Sequence, residues 1–178
     1  MSTPSAPEVW LRGPIEGIAA LLQPVAHALL QCREEWRASL PGLTQDQIMR
    51  RPGGAASIAF HVQHATGSLD RLFTYARGAR LNAEQKAAFL AEADAAARSG
   101  RELLALFEAG VDKALAELRA IDEATLTEPR FVGRAQLPST RLGLIFHAAE
   151  HTQRHAGQVA TTIKVVTAVR EPEQQAAR

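Results

Sequence analysis

The strongest constraint on this chain is the spacing of its apolar residues. In four long stretches they recur every three or four positions, the period of an amphipathic helix, and no segment alternates strictly enough to predict a strand. The first stretch runs from about Ile15 to Leu40, with Ile18, Leu21, Leu22, Val25, Leu29 and Trp36 inward and Pro24 as an expected kink or break. Pro41 and Gly42 end it. Thr44 and Gln47 have capping-box spacing, which predicts a short helical turn before the loop Arg51 to Gly54. The second helix is expected over Ser57 to Arg77 on the stripe Ile58, Val62, Ala65, Leu69, Leu72 and Ala76, with Gly78 at its C-terminal cap.

Asn82 and Gln85 open a shorter helix expected to reach Ala97, and Ser99 with Glu102 forms the capping box of the third long one. Leu103, Phe107, Val111, Leu115 and Leu118 are its inward residues. Asp122 to Pro138 reads as a loop-rich connection. Ser139 or Thr140 caps the fourth helix, whose apolar set Leu142, Ile145, Phe146, Ala149, Ala156, Ala160 and Ile163 continues to about Val169.

Four amphipathic helices with no internal repeat predict an all-α protein, a four-helix bundle with short extra helices in its connections. The expected organisation is an N-terminal extension over residues 1–13, one domain over 14–170 and a frayed polar tail over 171–178. At 178 residues and 46% hydrophobic composition, the chain is large enough to bury a real core.

Charge narrows the choice of partners. Twenty basic and 19 acidic residues of mixed sign leave a net charge of +1, which provides no field for nucleic acid or an anionic membrane. The most apolar segment, Ile15 to Leu30, is interrupted by Glu16, Gln23, Pro24 and His27, against a membrane span. One cysteine, Cys32, permits neither an internal disulfide nor a cysteine-rich zinc site, and Met1 to Gly13 lacks the pattern of a secretory signal. A cytoplasmic location is the expectation.

The chemistry concentrates in histidine. Of six histidines, five fall in two helical segments: His61 and His64 in the second helix, His147, His151 and His155 in the fourth. Residues four apart on a helix bring their Cβ atoms to about 5–6 Å, so His151 and His155 can converge on one ion. Periodicity puts His155 at the margin of the apolar arc, His151 slightly outside it and His147 farther round. The pair 151 and 155 is therefore the inward one. For a third donor the second helix offers two residues, of which His61 lies nearer the apolar centre and His64 on a flank shared with Arg71. His27 stands alone and reads as an ordinary side chain. The residue after His151 is Thr152, so the zinc-protease signature is absent, and the Glu-x-x-His spacing of di-iron bundles does not occur.

Two segments carry a resemblance: Ser57-Ile-Ala-Phe-His-Val-Gln-His64-Ala-Thr-Gly-Ser-Leu-Asp-Arg71 and His147-Ala-Ala-Glu-His151-Thr-Gln-Arg-His155-Ala-Gly-Gln158. The chain resembles the DinB/YfiT-like metalloenzymes, small four-helix-bundle proteins, over nearly the whole helical order. That family holds its metal with one histidine of the second helix and an H-x-x-x-H pair of the last. The resemblance therefore implies His64, His151 and His155 as ligands, with His61 the alternative to His64.

Three neutral imidazoles with an open position are the layout of a catalytic site. Zinc or nickel is the expected divalent ion, and such a donor set also accepts iron or cobalt. The resemblance implies a metal-dependent enzyme that activates a thiol or water, S-transferase-like or hydrolase-like, acting on a small molecule with a low-molecular-weight thiol as partner. It also implies a homodimer. The alternative is a non-catalytic metal-binding or structural dimer-forming module. Around the ligands, Glu150 is expected in a supporting hydrogen bond or salt bridge, and Arg71 on a substrate anion or in an ion pair. Tyr75 would pack in the pocket or core, Gly157 allow close helix approach, and Gln158 orient an imidazole or face solvent.

Overall fold

A computed structural model describes residues 6–92 and 98–168. The element order is α1 (Gln23–Ser39), α2 (Gln45–Met49), α3 (Ile58–Ala76), α4 (Ala83–Ala91), α5 (Gly100–Arg119), β1 (Pro129–Val132), β2 (Leu137–Thr140) and α6 (Arg141–Ala168). The caps are those the sequence encodes. Thr44, Asn82 and Ser99 each accept a hydrogen bond from the backbone N–H three residues on, while Gln47, Gln85 and Glu102 reach back, closing three capping boxes. Ser57 caps α3 through Phe60 N–H, and Gly78, at φ +75°, takes the left-handed conformation that ends it.

The start of the first helix differs from expectation. Residues 15–19 form a turn with Gly17 at φ +74°, a single 3-10 turn follows over Ala20–Leu22, and α1 begins only at Gln23. Pro24 sits in the first helical turn and breaks nothing, because its missing N–H is one the helix could not have paired there. Gln23 secures the entry by accepting from Ile15 N–H and donating to the carbonyls of Ile15 and Ile18. Leu21, expected inward, is exposed.

The connection before α6 is also more ordered than expected. Residues 129–140 form an antiparallel hairpin, Pro129 opposite Thr140 and Val132 opposite Leu137. Strands of four residues carrying Pro129 and Pro138 are too short and too broken to give a period-two signal, which is why the segment reads as a loop. Of the two candidate caps, Thr140 serves, its Oγ1 accepting from Gly143 N–H at 3.0 Å. The short helix after Asn82 ends at Ala91, and the rest of its expected length, residues 93–97, lies outside the described residues, as does the tail 171–178.

Contacts close a ring of four long helices: α1 packs on α6, α6 on α3, α3 on α5, and α5 on α1. The all-α four-helix bundle is thus the fold. Its core runs through Leu22, Leu29, Trp36, Ile58, Val62, Leu69, Leu103, Phe107, Leu118, Ile145 and Val159, all buried. Gly100 is indispensable where α5 starts, since a Cβ there would collide with the Leu40 carbonyl. On α6 the buried stripe is Leu144, Ile145, Ala148, Ala149, Thr152, His155, Ala156, Val159, Thr162 and Val166. Phe146 and Ala160, placed inward by periodicity, face outward. That difference matters for the site, because including them rotates the inferred stripe and sets His155 at its margin. His155 lies within it.

Candidate metal centre

α3 and α6 pack along their lengths, and their histidines meet across that seam. His64 Nε2 lies 3.0 Å from His151 Nε2, and His155 Nε2 lies 3.2 Å from the same atom. One ligating atom from each of the three falls within 4.8 Å of the others. His61 is one turn away on α3 and buried, and it faces the back of this cluster, its Nδ1 3.0 Å from His155 Nδ1.

The other ring edge of His64 is held by a residue that the sequence pattern does not single out. Glu92, the residue after α4, turns its buried carboxylate so that Oε2 accepts from His64 Nδ1 at 2.7 Å, while Oε1 takes Arg71 Nη1. Arg71 also lies over the Phe89 ring, 4.6 Å from its centroid. Phe60 stacks on the His64 imidazole, ring planes 8° apart. Glu92 offers no periodic signal, because its partner is 28 residues away and on another helix. One indirect signal exists. Gly67 interrupts the middle of α3, where glycine costs about 1 kcal/mol relative to alanine, and a Cβ there would run into the Glu92 carboxylate.

Proton counting defines what the cluster can accept. A carboxylate only accepts, so His64 Nδ1 carries the hydrogen and its Nε2 presents a lone pair. With His155 as the Nδ1–H tautomer donating to His61, His155 Nε2 is likewise a bare lone pair. His151 has Nδ1 buried without any partner. Its one ring hydrogen is therefore free to lie on Nε2, between the lone pairs of His64 and His155, and a metal ion taking that place would move it to Nδ1. Burial, then the neighbouring histidines, push the protonated form out: the pKa of His151 is lowered, and that of His155 falls to about 4. His61 is lowered too, by burial and then by His64. Burial raises the Glu92 carboxyl, but the hydrogen bonds from His64 and Arg71 outweigh it and leave it lowered and ionised.

The donor set fits a divalent ion. Ligands at about 2.0–2.1 Å in tetrahedral array stand about 3.3 Å apart, close to the 3.0 and 3.2 Å separations here.

Of the other residues named from sequence, only Arg71 reaches the cluster, and it does so through Glu92. Glu150 pairs with Arg154 and lies 3.3 Å from His147 Nδ1, on the outer side of α6. His147 is exposed. Arg71 is engaged by Glu92. Tyr75 is half-buried against the core. A Cβ added at Gly157 would have nothing within 4 Å, so this glycine does not serve helix approach, and Gln158 is exposed. His27 bonds the Gly13 carbonyl at 3.0 Å, far along the chain from the cluster.

The family model of the DinB superfamily matches residues 22–159, a span that includes all four clustered histidines and Glu92. The chain belongs to the DinB superfamily. Among solved structures, this DinB-superfamily chain is similar to a conserved protein from Enterococcus faecalis, with a TM-score of 0.68 at 18% identity, over 83% of this chain and 98% of that one. That likeness establishes the shared fold. No curated protein matches the chain. No helix among the described residues is long and apolar enough to cross a membrane.

Proposed function

We propose that His64, His151 and His155 hold one divalent ion through their Nε2 atoms, and that the protein is a metal-dependent enzyme acting on a small molecule. The observation that carries this is the approach of the Nε2 atoms of His64 and His155 to that of His151, at 3.0 and 3.2 Å, with the outer nitrogens of the first two engaged by Glu92 and His61. Zinc or nickel suits the all-imidazole set. When bound, such an ion supplies a Lewis acid that lowers the pKa of a water or thiol at its open position. The remaining work belongs to the chain: burying the ligands, holding each ring in one orientation and keeping protons off the nitrogens.

Between thiol and water, the placement of carboxylates favours the thiol. Glu92 is locked between His64 and Arg71, and Glu150 is tied to Arg154 and His147 on the outer side of α6. Neither is placed to act as the general base familiar from metal-dependent hydrolases, and a thiol, which is more acidic than water and loses its proton to solvent on binding a metal, depends on such a base less than water does. Transfer of a low-molecular-weight thiol to an electrophile is thus the preferred reaction.

Elemental analysis and metal titration of the purified protein test the site. One ion per chain is expected. His64→Ala, His151→Ala and His155→Ala should each abolish binding, and His61→Ala should only weaken it. Binding lost as completely in His61→Ala as in the other three would reassign the ligands. Thiol-transfer turnover no greater than that of His155→Ala would end the thiol-transfer reading.

A further inference from the structure

Glu92 reaches the histidine cluster from outside the two helices that build it. α4 has no fully buried residue of its own, with Phe89 and Leu90 exposed, so apolar packing does little to fix its place. Polar anchors to α3 do that instead. At its start Gln85 Nε2 donates to Thr74 Oγ1 at 2.8 Å and to Asp70, and at its end Arg71 and His64 take the Glu92 carboxylate. Beneath that carboxylate is Gly67, the one residue type whose lack of a side chain leaves room for it. The arrangement is costly. A buried carboxylate and a glycine in mid-helix both oppose stability unless something returns the cost.

We propose that Glu92, clamped by Arg71 and seated over Gly67, is a positioning residue that fixes His64 as its Nδ1–H tautomer and thereby turns the Nε2 lone pair toward His151 and His155. The neutral imidazole has two tautomers, and its outer hydrogen bond selects between them. A carboxylate accepting from Nδ1 leaves Nε2 bare. Without it, the Nε2–H form becomes available and would present a hydrogen to the cluster. The same logic separates the two histidines of α3: His64 has an ionised acceptor behind it, while His61 has only another imidazole. Support of this kind is worth about 10–100-fold in metal affinity.

The effect on an ion rests on the three-histidine reading above, but the tautomer does not, so the two can fail separately. Long-range ¹⁵N–¹H correlation spectra of the metal-free full-length protein read the tautomer of His64 directly. The wild type is expected to show the Nδ1–H form, and Glu92→Ala to lose that preference while keeping the helical circular dichroism of the bundle. Co²⁺ titration of the same two proteins is expected to give an affinity lower by about 10–100-fold in Glu92→Ala. Arg71→Ala, which frees the carboxylate without removing it, should lie between. His64 keeping the same Nδ1–H tautomer in Glu92→Ala as in wild type would overturn the proposal, and so would an unchanged Co²⁺ affinity alongside a lost tautomer. Wild type that binds no Co²⁺ but shows the Glu92-dependent tautomer would support the positioning role and remove the metal reading alone.

Discussion

Between α1 and α5 the bundle is closed by large apolar side chains: Trp36 lies against Phe107 with ring centroids 4.2 Å apart, and Cys32 and Leu103 are buried alongside. α3 and α6 bury large apolar residues too, among them Ile58, Leu69, Ile145 and Val159, but they add a set of another kind. Ala59, Ala65, Ala148, Ala149 and Ala156 alternate with Thr152, His61 and His155. Small residues let two helices approach closely, and the polar groups that fill the remaining space are ones that prefer a partner to an apolar neighbour. One seam contributes hydrophobic burial and fixed geometry. The other gives up part of that stabilisation to hold nitrogens bare of protons. Even the thiol of the first seam fits this division: burial pushes Cys32 up to about 12, which leaves it unreactive at neutral pH.

If the seams divide their tasks in this way, the largest effect on stability should come from the first. Phe107→Ala removes a fully buried ring from against Trp36, and such truncations cost about 3–5 kcal/mol. Urea denaturation should register that loss while metal affinity, measured where the variant is folded, stays at the wild-type value. A matching fall in affinity would show that the α1–α5 packing sets the histidine geometry as well, and the division would not stand.

The second seam should reveal itself through pH. His61, His151 and His155 have lowered pKa values in the folded protein, His155 to about 4, against an ordinary value of 6.5. Below pH 6.5 the unfolded chain takes up protons that the folded one refuses, so stability is full above 6.5 and is lost as pH falls. Each histidine that stays neutral costs at most about 1.4 kcal/mol over the first pH unit. Metal-free protein unfolded in urea at pH 7.5 and 5.5 should therefore be weaker at 5.5, and His155→Ala should flatten the difference. Equal stability at both values would mean that the folded cluster accepts protons freely.

How much of this is legible in the sequence follows from the range of each interaction. The capping boxes at Thr44, Asn82 and Ser99 span three residues, and all three form. The helical order and the clustering of five histidines on two helices are also local properties, and residues 64, 151 and 155 come together across the α3–α6 seam. Features that depend on tertiary contact are the ones the pattern conceals. Phe146 is apolar yet exposed, and including it tilts the α6 stripe away from His155. Pro24 reads as a breaker because its effect depends on whether the helix has already begun. The hairpin at 129–140 gains its order from pairing, which four-residue strands do not announce. Glu92 lies inside a stretch that reads as plain helix, and only the otherwise unexplained Gly67 hints that something has to approach α3 there.

The smallest effect belongs to the outer rim of the first seam, where α1 and α5 are also joined by ion pairs. Arg37 pairs with Glu108 and Arg33 with Asp112, and the exposed members of these pairs remain in contact with water. Water screens such charges and their long side chains lose freedom when fixed, so an exposed pair is worth about 0.2–1 kcal/mol. Arg37→Ala should lower stability by no more than that, and the deficit should shrink in high salt as the wild-type pair is screened. Arg37 and Glu108 are the residues that follow Trp36 and Phe107 in the same two helices, so the contrast with Phe107→Ala isolates what holds this seam together. A loss in Arg37→Ala approaching that of Phe107→Ala would make charge, rather than ring packing, the closure of α1 on α5.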